Sequence, residues 1–338
     1  GHRQFAVMIR SDGSAVGCTA VSNSAPAVFM PGGAISNCLI VHNVTTQMVA
    51  GVLAYAGDLY NCVIAGNSSS SNAGGVYGYA ARMVNCTLAD NYGNNCGGAF
   101  LYDCDLVNCI VYSNRNSGMT AQRNIDDYGA NSFLNCCTVP GLGTACVTST
   151  PAFANAAGGD YRLAAWSPCI DAGAAADDVP REDLLGAFRP LDGDSNGVAA
   201  VDIGAYEFVH PTLDFDGDGM PDAWEVPNEL DPTYSNARDD DDSDGSINLD
   251  EYVCDTRPKD GGDWFRIRRV RCTNTCIVGF AGSTQRVYTL YACTNIDVDA
   301  WQTVNGNVDL WGVGTNTVLT DTNAARHMCY HVGVSFPP

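Results

Sequence analysis

The sequence predicts an all-β protein: a right-handed parallel β-helix, then a short acidic segment, then a small β-sandwich. Three observations carry this reading. One phrase recurs four times in the first half, two acidic clusters of matching spacing follow residue 213, and the stretch from residue 261 alternates short apolar runs with Gly, Asn and Asp turns. The composition agrees: of 338 residues only 16% are charged while 36 are Gly, which suits turn-rich β-structure better than helix. The net charge of −21 argues against nucleic acid and anionic membranes, whose recognition needs a positive footprint, and points to a cation partner. No apolar run is long enough to span a bilayer. The opening GHRQFAVMIR reads as a mature or excised segment with an incomplete first coil.

The β-helix is expected over residues 1–150. The phrases NCLIVHN, NCVIAGN, NCTLADN and NCIVYSN begin at Asn37, Asn61, Asn85 and Asn108, spaced 24, 24 and 23 residues apart. A fixed period of this size marks a solenoid in which each repeat is one coil. Two residues after each Cys stand Ile40, Ile64, Leu88 and Val111, so Cys and this aliphatic column share an interior face. The closing Asn43, Asn67, Asn91 and Asn114 suit stacked amides at a corner. In-register Cys side chains run parallel, leaving their Cβ atoms too far apart for a relaxed bridge, so Cys38, Cys62, Cys86 and Cys109 are expected as buried thiols. Cys96, Cys104, Cys136, Cys137 and Cys146 lie off this column and are the better bridge candidates, with pairing open. Tyr55, Tyr79 and Tyr102, each seven residues before a Cys, form a candidate ligand-binding column beside Phe29, Leu53, Tyr77 and Phe100. Facing outward, such rings stack on sugars or bury against another protomer; the alternative is that the chain's own loops cover them.

Residues 151–209 are expected to close the helix. The phrases SPCIDAG (167–173) and DIGAYEF (202–208) resemble the closing segment of bacterial secreted and surface β-helix proteins. That resemblance implies an extracytoplasmic setting and no particular reaction. Asp192, Asp194 and Asn196 precede Gly197 in calcium-loop order, but Ile203 occupies the twelfth position, so a turn held by Asx bonds is expected.

Residues 210–260 carry the sharpest chemistry. From Asp214, side-chain ligands fall at positions 1, 3, 5, 9 and 12: Asp214, Asp216, Asp218, Asp222 and Glu225, with Gly219 at position 6. From Asp240 the set repeats as Asp240, Asp242, Asp244, Asn248 and Glu251, with Gly245 at 6. The position-7 carbonyls of Met220 and Ser246 complete each set, and the last Glu offers two oxygens to a hard cation. Two Ca2+ ions are therefore expected, offsetting four of the 21 net negative charges. The segment resembles bacterial EF-hand-like and thrombospondin type 3-like calcium repeats. Pro227 forces a very short helix after the first loop, which implies a stabilising clip between two rigid bodies rather than a switch.

Residues 261–338 are expected to form the β-sandwich. Arg266, Arg268, Arg269 and Arg271 form the dense basic patch of the chain, either docked on the acidic segment or solvated. Trp264, Trp301 and Trp311 serve as core or as a sugar platform, and Cys272, Cys276, Cys293 and Cys329 supply one or two bridges.

Polysaccharide cleavage needs paired outer-face carboxylates with a base or cation partner. Asp103/Asp105 and Asp126/Asp127 have no such frame, and the five His cluster with no nucleophile. No catalytic residue is assigned, and enzymatic action is left open with the balance against it. The sequence is read as a non-enzymatic bacterial extracellular or cell-surface protein, structural or adhesive, stabilised by calcium. Its other partners are copies of itself in a fibre or oligomer, or extracellular polysaccharide. The alternative is a polysaccharide-active enzyme or carbohydrate-binding protein.

Overall fold

A computed structural model describes residues 5–118, 122–296, 300–324 and 328–338. The chain divides into two compact units, residues 1–215 and 216–338.

The first unit is a parallel β-solenoid. Each coil contributes short strands to successive sheets; one complete coil runs Val52–Tyr55, Asp58–Tyr60, Val63–Ala65 and Ser68–Ser69. Three sheets hold six strands each and a fourth holds four. Register is in phase with the repeat: Ile64 pairs with Ile40 on one side and Leu88 on the other. Strands this short need abrupt corners, and single residues of positive φ make them. Ala56, Asn61 and Gly66 turn one coil; Ala80, Asn85 and Asp90 turn the next. His42, which the sequence suggests is a tolerant surface site, occupies one of these left-handed corners at φ 56. Gly51, Gly75 and Gly98 mark a close approach of adjacent coils. A Cβ on Gly75 would lie 2.5 Å from the carbonyl oxygen of Gly98.

The core is the expected column set. Ile35, Ile40, Leu59, Ile64, Met83, Leu88, Leu106 and Val111 pack with Cys38, Cys62, Cys86 and Cys109. These cysteines are thiols, each bonding the carbonyl two residues back at 3.1–3.4 Å. Cys136 belongs to this column rather than off it, packing in the same core and reaching Leu106 O at 3.5 Å. A longer last coil had hidden its phase. Cys96, Cys104, Cys137 and Cys146 are likewise unbridged thiols. The buried amide ladder runs Asn43 to Asn67 to Asn91 to Asn114, each Nδ2 donating to the next Oδ1 at 2.8, 3.0 and 2.9 Å.

Residues 151–209 run back along the solenoid as a strap. Tyr161, Leu184 and Ala205 cover Val63, Ala65 and Ala89, while Leu163, Cys169, Ile170 and Ile203 cover Ile110 and Cys137. Strands Val63–Ala65 and Thr87–Ala89 are thus buried on both faces. The corner asparagines before each Cys are its anchor points: Asn61 Nδ2 donates to Glu182 O at 2.6 Å, Asn85 Nδ2 to Asp202 O at 2.9 Å, and Asn108 Nδ2 to Ala174 O at 2.9 Å. Arg189, buried, pairs with Glu207 at 2.8 Å and donates to Asn61 Oδ1 at 2.5 Å. Asp202 accepts from the N–H groups of Asp171 and Phe208, so SPCIDAG and DIGAYEF hold each other.

The second unit begins with the acidic loops and continues as a small β-module of two antiparallel sheets. Strands Ile267–Cys272, Cys276–Gly282 and Gly314–Asp321 form one; Val287–Cys293 pairs with Gln302–Thr303, Leu310–Trp311 and Cys329–Ser335 in the other. Val278, Phe280, Tyr288, Leu290, Leu319 and Val332 form their shared core. Cys272 and Cys276 form a disulfide, and Cys293 stands opposite Cys329 in register.

Candidate metal centre

The second acidic loop, within the second unit, folds around its own carboxylates. Asp240 accepts from the N–H of Asp244 at 3.1 Å and of Gly245 at 3.0 Å. Asp242 Oδ1 accepts from Asp244 N at 3.2 Å, and Asp244 Oδ1 from Ser246 N at 2.8 Å. Gly245 sits at φ 99, the backbone state that position 6 demands. Both oxygens of Asp240 and one oxygen each of Asp242 and Asp244 thus shape the turn. The other oxygens, Asp242 Oδ2, Asp244 Oδ2, Asn248 Oδ1 and Glu251 Oε2, are buried and have no hydrogen-bond partner. Asp240, Asp242 and Asp244 bring carboxylate oxygens within 4.8 Å of one another.

Such an array is costly on its own. Burial of Glu251, reinforced by the charges of Asp242, Asp244 and Asp240, pushes its carboxyl up to about 7. Four buried acceptors lacking donors are what an oxygen-seeking cation would satisfy. Asp240, Asp242, Asp244, Asn248 and Glu251 would hold Ca2+, with the Ser246 carbonyl at position 7.

In the first loop Asp216 and Asp218 lie within the same 4.8 Å limit, and Gly219 has φ 102. Asp214 falls on the first unit's side of the division. Met220, Asp222 and Glu225 are buried. The helix after this loop, α1 (Asp222–Glu225), has four residues and passes into a 3-10 turn containing Pro227, as expected.

The two loops are joined within the unit. Asp218 Oδ2 accepts from the N–H groups of Asn236 and Ala237, both at 2.9 Å. Asn248 Nδ2 donates to Asn236 O at 3.0 Å, and its N–H to Asp239 O at 2.8 Å. Met220, Leu230 and Ala237 form a small core beneath them with Trp224, Leu249 and Tyr252. The helix after the second loop, α2 (Asn248–Cys254), is held by Arg286, a residue the sequence reading missed. Its guanidinium caps α2 by donating to Tyr252 O at 2.7 Å and Val253 O at 2.8 Å, and lies over the Phe336 ring at 4.4 Å. The basic strand Ile267–Cys272 is exposed along its whole length, so Arg286 supplies the contact considered for Arg266, Arg268, Arg269 and Arg271.

The ring column lies on the outer face of the sheet that includes Val52–Tyr55. Centroids of Tyr55 and Tyr79 are 6.4 Å apart, as are those of Tyr79 and Tyr102; Tyr102 and Tyr128 stack at 5.2 Å. Tyr79 is half exposed, while Tyr55 and Tyr102 are partly covered by neighbours including Met48 and Phe100. The outer carboxylate pairs have structural partners: Asp103 accepts from Ala130 N, Asp105 lies 3.8 Å from Arg82, and Asp126 pairs with Arg123. Asp171 joins Asp192 and Asp194, whose oxygens accept N–H bonds from Asn196 and Gly197 in the expected Asx turn. His2 and His327 lie outside the described residues.

No protein-family model, curated protein or solved structure matches this chain.

Proposed function

We propose that this chain is a calcium-stabilised structural or adhesive component of an extracellular or cell-surface assembly of bacterial origin. The observation that carries the calcium reading is the set of four buried, donorless oxygens in the second loop. The double occurrence of the ligand spacing, at Asp214 and at Asp240, supports two ions. Loops of this class outside cells bind at about 10⁻⁴–10⁻³ M, which suits a fixed clip bathed in millimolar calcium. A parallel solenoid followed by a β-module suits a spacer or adhesive element, and self-assembly into fibres belongs to the same proposal.

The test is calorimetric calcium titration of chelator-treated protein, with melting followed in parallel. Two ions per chain are expected, together with a calcium-dependent rise in the melting temperature of the second unit. Glu251→Gln abolishes one binding event and leaves the other. Absence of heat and of any shift at about 10 mM calcium, well above the expected range, overturns the reading.

One observation favours the second reading, a carbohydrate-binding or polysaccharide-active β-helix protein: the outward ring column of Tyr55, Tyr79 and Tyr102, of which Tyr79 is half exposed. Turnover of a uronate polymer by the purified chain would decide for it.

A further inference from the structure

The β-module carries a cleft of about 530 Å³ lined by Phe265, Arg266, Ile296, Trp301, Tyr330 and His331. His331 sits between two rings, stacked on Tyr291 at 5.4 Å and edge-on to Trp301 at 5.6 Å. Arg266 lies over Trp264 at 4.7 Å, and Trp264 is 38% exposed. Trp311 pairs near Val287, at the opposite end of the strand that presents Tyr291, so the three tryptophans do not form one platform. Arg266, Arg268, Arg269 and Arg271 form no ion pair among the described residues, although the chain has a net charge of −21. Cations left unpaired in so acidic a chain form a local field of opposite sign.

We infer that this cleft binds a carboxylated sugar, a uronic-acid residue of an extracellular polysaccharide. A pyranose ring offers an apolar face to Trp301 and His331, and its carboxylate matches the planar fork of Arg266. A purely apolar ligand would leave the guanidinium unused. A long polyanion such as nucleic acid is disfavoured by the net charge of −21. The site goes beyond the calcium reading and rests on the β-module alone, so either can fail without the other.

The experiment is tryptophan-fluorescence titration of the full chain in calcium buffer, with trigalacturonate as acidic probe and cellotriose as neutral probe. Saturable binding of trigalacturonate at or below about 1 mM is expected, at least tenfold tighter than cellotriose. That preference shrinks in about 1 M salt, where screening acts within about 3 Å. Arg266→Gln removes the preference, weakening trigalacturonate far more than cellotriose. Trp301→Ala weakens both probes about tenfold. Ile296→Glu, a change at an exposed rim position, selectively weakens the acidic probe and covers the case in which Trp301→Ala fails to fold. No saturation with trigalacturonate, equal binding of both probes, or a preference intact in Arg266→Gln and Ile296→Glu overturns the assignment.

Discussion

Replacing Asn91 by Ala removes one rung of the buried amide ladder. Asn91 Oδ1 accepts from Asn67 N at 2.9 Å and from Asn67 Nδ2 at 3.0 Å. Alanine leaves those two donor hydrogens without a partner, while Asn114 Oδ1 keeps the residue-91 backbone N–H at 3.0 Å. Asn67 and Asn91 are 0% and 1% exposed, so water does not replace the lost acceptor. Two orphaned buried donors at about 1–3 kcal/mol each give a cost of about 2–6 kcal/mol. That is a large share of the roughly 5–15 kcal/mol that holds a typical domain together. Asn95→Ala is the matched control: its Nδ2 also donates to an Asn one coil away, Asn72 Oδ1 at 2.9 Å, but in an exposed position, and its cost is within about 0.5 kcal/mol. Urea unfolding followed by far-ultraviolet circular dichroism, with calcium present throughout, measures both. A loss below about 1 kcal/mol at Asn91, or one equal to that at Asn95, refutes the role assigned to the ladder.

Arg286→Ala removes the cation that caps α2, which costs the second unit about 1.5–3 kcal/mol and weakens calcium binding at the loop that contributes Asn248 and Glu251; chemical denaturation and calcium titration of the variant check both. The Arg82 guanidinium holds the Asp178 carboxyl below its usual range. Because the folded value is the lower one, the stabilisation is present above about pH 4 and is lost as pH falls through the depressed value. Both side chains are about one-third exposed, so Asp178→Asn costs only about 0.2–1 kcal/mol at pH 7, and the difference from wild type closes in acid; melts at both pH values test this.

The solenoid was legible because its determinants repeat. The Cys and aliphatic columns and the final Asn of each phrase recur every 23 or 24 residues, and all occupy the interior positions their spacing implies. The corners were only half legible. Left-handed backbone falls on Asn61 and Asn85, which suit it, but also on His42, Ala56 and Ala80, because the coil geometry imposes it whatever the side chain. The course of the strap was not legible because nothing in it is periodic and its contacts are remote; Arg189 meets Asn61 across 128 residues. The asparagine before each Cys carried the missing signal, a polar group at a corner with hydrogen bonds to spare for another segment. The candidate cation-binding loops were visible by spacing, whereas Arg286 was not, since a lone Arg at the start of a strand has no pattern to distinguish it.

The strap also alters how the solenoid comes apart. Coils that touch only their neighbours fray from an end, each rung opening with little reference to distant ones. Here one segment is tied to coils at Asn61, Asn85, Asn108 and Asn135 at once. Peeling off a terminal rung therefore strips contacts from the whole row, so mechanical load applied along the axis meets a single yield point instead of a staircase of small ones.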